Sequence, residues 1–151
     1  MIQEYQVSGF RVREYEELRS TNTEAERVGW DELEDKMVIL TYKQTQGRGQ
    51  VGNHWESEPG KNISMTVVFK PRELPAGQQF AVSMVIALGA CDFISRYVAG
   101  CTVKWPNDIY VGDRKISGIL IEHSIMGRYV GGSLCGIGVN INQEHFLSDA
   151  P

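Results

Sequence analysis

The sequence predicts an α+β (α/β) domain, and three observations carry that reading. Apolar and β-branched runs recur along the chain, most clearly at 37–42 (MVILTY) and 62–70 (NISMTVVFK). After Gln78, the residues Phe80, Met84, Leu88, Cys91, Ile94 and Val98 recur at three- or four-residue steps, the period of a helix. Near the end, Cys135, Ile137, Val139 and Ile141 alternate with Gly136, Gly138 and Asn140, the period of a strand.

The elements follow in order. Phe10, Val12 and Tyr15 mark a first strand. Thr21 and Glu24 have capping-box spacing, and Ala25 and Val28 continue the helix they open. Met37 to Tyr42 is a buried strand feeding a glycine-rich segment at 47–52, and Asn62 to Lys70 is the next strand. Pro71 to Gly77 is a loop. The helix from Gln78 should run about twenty residues with a buried stripe through Phe80, Met84, Leu88, Cys91, Ile94 and Val98, and Gly100 should end it. Ile109–Val111 and Ile116–His123 flank Gly112-Asp113 as a hairpin. Met126-Gly127 marks a second turn, and Tyr129 to Asn142 is the last strand. Its face of glycine and asparagine leaves room for something to lie against the sheet. The final residues, 147–151, do not read as a completed element.

At 151 residues the chain suffices for one domain with a core. No apolar run reaches the roughly 18 residues needed to span a bilayer, and no signal peptide opens the chain, so a cytoplasmic protein is expected. A formal charge of −4 argues against broad binding to a nucleic-acid backbone. Cys91, Cys101 and Cys135 are widely spaced, with no C-x-x-C and no zinc spacing, and read as buried reduced thiols. His54, His123 and His145 read as structural or surface groups.

Gly47-Arg48-Gly49-Gln50-Val51-Gly52 matches G-x-G-x-x-G. A dinucleotide site needs a strand before it and a helix after it. The strand is present, but residues 53–60 have no helical period and soon meet Pro59-Gly60. Kinase and Walker readings fail for want of their partner motifs. Two readings remain: a plain surface turn, or a mobile glycine loop whose amides and Arg48 meet an anion, with Trp55 anchoring its end or stacking on a ring.

Residues 104–122 (KWPNDIYVGDRKISGILIE) gather cations, an Asn-Asp pair and a glutamate around a hairpin. Taken singly, these are turn and hairpin-end residues. Strict alternation places Lys115 on the face of Ser117, Ile119 and Ile121, opposite Ile116, Gly118 and Leu120. An ammonium on an otherwise apolar face near Gly118 reads as a phosphate or carboxylate clamp. Asn107 and Asp108 would position that lysine or a magnesium ion.

Here the chain resembles the catalytic domain of biotin protein ligases. The matching pieces, in order, are Ser20-Thr21-Asn22, Gln44-Thr45-Gln46-Gly47-Arg48-Gly49, Trp55, Lys104-Trp105-Pro106-Asn107-Asp108, Arg114 to Glu122, and Gly136-Ile137-Gly138-Val139-Asn140. The resemblance implies a mixed β-sheet flanked by helices, related to lipoate ligases and class II aminoacyl-tRNA synthetases. It also implies a two-step reaction. Biotin's carboxylate attacks the α-phosphate of MgATP to give biotinyl-5′-AMP. A lysine of the biotin carboxyl carrier protein of acetyl-CoA carboxylase, or of a related carboxylase, then takes the biotinyl group.

By the same resemblance, Lys115, Arg48, Asp108 and Asn107 form the catalytic set. Ser20, Thr21, Asn22, Gln44, Gly47, Arg48, Lys115, Gly118 and Gly138 would hold biotin. Gly49, Gln50, Trp55, Asn107 and Asn140 would face the nucleotide, and Asp108 would support Lys115 or Mg2+. Gln50 stands where the family often has an arginine that helps retain the adenylate. The family's catalytic domain normally continues beyond the Asn140 strand, and by the resemblance that continuation carries some of the adenine contacts. No winged-helix module precedes Phe10, so a DNA-binding repressor role is not expected. A homodimer through a sheet edge is implied, with the Tyr129–Asn142 strand as the candidate contact. The rival readings are a lipoate or octanoate ligase or transferase of the same fold, and a non-catalytic biotin-binding fragment.

Overall fold

A computed structural model of the chain describes residues 2–50 and 52–147. Its strands are β1 (Ile2–Val7), β2 (Phe10–Tyr15), β3 (Met37–Thr41), β4 (Gly47–Arg48), β5 (His54–Trp55), β6 (Asn62–Phe69), β7 (Cys101–Lys104), β8 (Asp108–Val111), β9 (Arg114–Met126) and β10 (Tyr129–Asn140), with helix α1 (Thr21–Val28) between β2 and β3 and helix α2 (Phe80–Ser95) between β6 and β7. Eight strands form one sheet in the order β1-β2-β3-β6-β10-β9-β8-β7. Only β2 and β3 run parallel; the other pairs are antiparallel, so the sheet is mixed. β4 and β5 pair separately as a small ribbon.

The strongly patterned segments fold as expected, with shifted ends. In β6 buried and half-buried residues alternate strictly, as a strand between two covered faces requires. β9 and β10 form a long hairpin around Gly127, whose φ of 61° only glycine adopts without strain. β1 and β7 went unread: every residue of β1 is exposed, so it carries no burial period, and β7 is a four-residue edge strand.

Helix α1 starts one residue earlier than its sequence signal. Ser20 is the cap, its Oγ 3.5 Å from the Thr23 amide, and Glu24 instead receives Arg27 at 2.7 Å. Helix α2 is shorter than expected, capped at Arg96 well before Gly100. Its buried stripe is the expected one only at and just past its C-terminal end, where Ile94 is buried and Cys91 and Val98 pack against the same cluster. Val82, Ala87 and Ile94 are buried, whereas Met84 is 49% and Leu88 64% exposed. The helix is apolar almost all round, so its period alone does not choose a face. The small Ala87 and Ala90 let the backbone approach the sheet, and the face carrying them packs there. By length and mean hydropathy (1.4), Ala76–Ser95 would pass for a membrane-crossing helix, which a search for an unbroken apolar run does not catch. Its contacts instead run to β7, β8 and β9.

The two sheet faces bury separate clusters. Tyr15, Ala25, Leu33, Met37, Ile39, Val68 and Leu134 pack under α1. Ile109, Ile119, Ile137 and Val139 pack with Ala87 and Ile94 of α2. Cys91 and Cys101, distant in sequence and only half-buried, meet with sulfurs 3.2 Å apart, so of the three thiols only Cys135 is fully buried. The expected dimer contact on the last strand does not hold. β10 is flanked by β6 and β9 and offers no free edge; the sheet's edges are β1 and β7. The reading of residues 148–151 lies outside the described residues.

Candidate functional site

The site lies on the α1 face, where the central strands carry glycine. Gly138 of β10 pairs with Gly118 of β9, and Gly136 with Leu120. The glycine face does accommodate something, and in this chain that something is its own side chains. A Cβ on Gly118 would sit 2.8 Å from the Trp55 ring, one on Gly138 closer still, and one on Gly136 2.5 Å from Asn22 Oδ1. Trp55 therefore lies flat on bare backbone, which is why glycine is needed there.

Lys115 reaches this face because β9 is irregular. Ser117 pairs with Ile109 and Lys115 with Tyr110, so one step on β8 spans two on β9 and Ile116 is the extra residue. Such a bulge redirects the side chain beyond it. Lys115 is therefore not opposite Gly118, as strict alternation would have it. Ile116 packs toward the α2 cluster, and Lys115 turns to the Gly118 side. Its ammonium lies 2.9 Å from Asp108 Oδ1 and 5.9 Å from the Trp55 ring centre.

A cavity of about 560 Å³ gathers Ser20, Thr21, Asn22, Gln44, Arg48, Gly49, Gln50, Trp55, Asn107, Asp108, Lys115, Gly118 and Gly138. A second, of about 650 Å³, includes Asn140, Arg114, Ile141 and Phe146. His54, Trp55 and Lys115 line both. All but two of the expected site residues therefore share one cavity. Asn140 belongs to the second, and Gly47 lies behind the first, against the Trp55 carbonyl and Gln44.

Local hydrogen bonds order these groups. Gln44 Oε1 accepts from the Thr21 amide at 3.0 Å, tying the strand end after β3 to the start of α1. Asn107 Nδ2 donates to the Ile119 carbonyl at 2.6 Å, and the Ile119 amide returns a bond to the Asn107 carbonyl, so Asn107 braces β9. Asn140 Nδ2 lies 3.4 Å from the Lys115 carbonyl. The glycine segment is a ribbon rather than a free loop: β4 and β5 pair, and the Gly49 amide donates to the Asn53 carbonyl. Within the described residues the element that follows it is the strand β5, where a dinucleotide site needs a helix; Val51 lies outside them. Arg48 spans the gap to Glu26 at 3.0 Å and to Glu122, and these partners, Glu26 first, raise its pKa further.

Sequence reasoning passed over several lining residues. Lys104, inside the Lys-Trp-Pro-Asn-Asp motif, stands 4.8 Å from the Tyr110 ring centre and adds a second cation. Among the described residues the buried Ser64 hydroxyl and the Trp55 Nε1 have no hydrogen-bond partner. Ser64 carried no signal beyond its place on a strand. Among the described residues no three His, Cys, Asp or Glu side chains gather as a metal cage, and the Asp108 carboxylate is engaged by Lys115. These residues do not fit a protein-built magnesium site.

Fold and cavity together define an α+β ligand-binding domain with a glycine-floored slot, a lysine at its mouth and a glycine ribbon as its wall. The chain belongs to the biotin/lipoate A/B protein ligase family, whose model matches residues 15–140. It is 34% identical over 124 residues to the biotin–[acetyl-CoA-carboxylase] ligase of Paracoccus denitrificans, covering 81% of this chain and 51% of that protein. It is 28% identical over 140 residues to the bifunctional ligase/repressor BirA of Bacillus subtilis, covering 92% of this chain and 43% of that protein. The biotin protein ligase of Aquifex aeolicus, solved in complex with biotin and ATP, superposes with a TM-score of 0.73 at 25% identity, over 91% of this chain and 55% of that one. The chain thus spans about half the length of these relatives.

Proposed function

We propose that this chain carries the activating site of a biotin–protein ligase, joining biotin to the α-phosphate of ATP and passing it to a lysine of a biotin carboxyl carrier protein. The observation that carries the reading is Lys115, which stands where the two cavities meet. A carboxylate and a triphosphate repel each other, so a fixed cation between them lowers the cost of bringing them into contact and stabilises charge developing in the transition state.

The division of labour follows the geometry. The ureido end of biotin goes to the first cavity, under Ser20, Thr21, Asn22 and Gln44, with its chain along the Gly118–Gly138 floor. The adenylate takes the second cavity, beside Asn140. Trp55 separates the two and moves off the glycine floor when ligand enters. Attack by the biotin carboxylate oxygen breaks the bond between the α-phosphorus and its bridging oxygen, and pyrophosphate leaves with that electron pair. Lys104 and Lys115 offset the charge. Magnesium comes with the nucleotide's phosphates rather than through a protein cage.

The proteins this chain resembles are ligases by name, and the Aquifex one was solved with both substrates. The test is direct detection of biotinyl-AMP by mass spectrometry after incubation with ATP and either biotin or lipoate. Product from biotin alone supports the reading; product from lipoate alone contradicts it.

A further inference from the structure

We propose that Glu122 is a positioning residue that locks Arg48 and Asn22 into the shape that receives the ligand's polar end; this rests on the biotin-site reading above. Glu122 lies on β9 two residues beyond Leu120, which lines the first cavity, and on the same strand face. Its Oε1 accepts from an Arg48 terminal nitrogen, and its Oε2 accepts from Asn22 Nδ2 at 2.8 Å. Asn22 is held further: its Nδ2 lies 3.3 Å from the Leu120 carbonyl, and its Oδ1 receives the Thr66 hydroxyl at 2.6 Å. The other terminal nitrogen of Arg48 meets Glu26 at 3.0 Å and Thr23 at 3.5 Å. One carboxylate therefore ties the glycine ribbon, the first turn of α1 and β9 together around the cavity.

The site requires a carboxylate. Both partners present donors, and only an acceptor-only group with two oxygens satisfies both at once. A carboxamide has one acceptor oxygen for two donors and no charge, so whichever way its amide turns Glu122→Gln loses the ion pair with Arg48 and one of the two bonds. The ion pair is charge-assisted, the stronger kind.

The experiment has two arms. Without ligand, tryptic cleavage after Arg48 is timed by mass spectrometry. Loss of a charge-assisted bond predicts about tenfold faster cleavage in Glu122→Gln, with the thermal midpoint measured alongside to show that the fold persists. Unchanged cleavage overturns the lock. In the second arm, biotin affinity is measured by calorimetry in wild type, Glu122→Gln, Arg48→Met and the double variant. About tenfold weaker binding in Glu122→Gln, with no further loss when it is added to Arg48→Met, is expected. Unchanged affinity, or a full additive loss in the double variant, overturns the positioning role. A wild type that binds no biotin refutes the function proposed above, and the cleavage arm still decides the lock. Where Glu122→Gln fails to fold, Glu122→Asp carries the same comparisons, because its shorter side chain keeps the charge but cannot span both partners.

Discussion

Lys115 meets Asp108 at 2.9 Å across β9 and β8 because Ile116 is squeezed out of the pairing between them. Without that bulge, the ammonium would follow Ser117 toward the α2 cluster, where no carboxylate of β8 could meet it. The pair is three-quarters buried on both sides, so it fixes direction as well as charge. If Asp108 aims Lys115 at the reacting carboxylate and phosphate, Asp108→Asn should slow adenylate formation by about tenfold or more, a typical cost of misplacing a positioned group, with little change in the KM for biotin. Steady-state kinetics with biotin varied checks this.

The glycine floor makes a second prediction. An added methyl at Gly118 or Gly138 runs into the Trp55 ring. Gly138→Ala should displace the indole and destabilise the chain by about 1–3 kcal/mol, the usual cost of overpacking. Its tryptophan emission should shift to the red and its biotin affinity should fall. Denaturant unfolding followed by fluorescence measures the first two.

Gln50 lines the cavity beside Arg48 and Gly49 and brings hydrogen bonding without charge. Gln50→Arg should slow release of free biotinyl-AMP relative to wild type. Equal release rates, measured by quenching and chromatography, would show that charge at this position does not govern retention.

His123 supplies a pH signature away from the site. It is half-buried, its Nδ1 2.8 Å from Ser133 Oγ, and burial lowers its pKa below the usual 6.5. The unfolded chain therefore binds this proton more readily than the folded one. The penalty is absent above the ordinary imidazole value, appears as the pH falls through it, and levels off below the depressed folded value. Stability against urea should decline over that window in wild type and less steeply in His123→Gln.

Much of the site was legible before any coordinates, because its chemistry sits in compact runs. Ser20-Thr21-Asn22, the glycine segment, Lys104 to Asp108 and Arg114 to Glu122 supply most of the cavity wall. What stayed hidden depends on contacts that sequence spacing does not encode. The bulge at Ile116 breaks the two-residue period on which the Lys115 argument rested. Of the apolar stripe read on α2, Ile94 is buried and Cys91 and Val98 pack beside it, but Phe80, Met84 and Leu88 face outward, because over that stretch α2 presents a second face of smaller residues to the sheet. Glu122 stood in plain view at the end of a motif, yet its role appears only when Asn22 and Arg48, 100 and 74 residues away, close around it.

The central claim is that Lys115 joins two substrates at the boundary of two cavities. Biotin-dependent exchange of pyrophosphate into ATP, compared between this chain and its Lys115→Ala variant, tests it most directly. The account predicts exchange by the wild type with biotin and none with lipoate, and a loss of about 10²- to 10³-fold in the variant, the scale of removing a preorganised charge from a transition state. Exchange that persists undiminished in Lys115→Ala would contradict it.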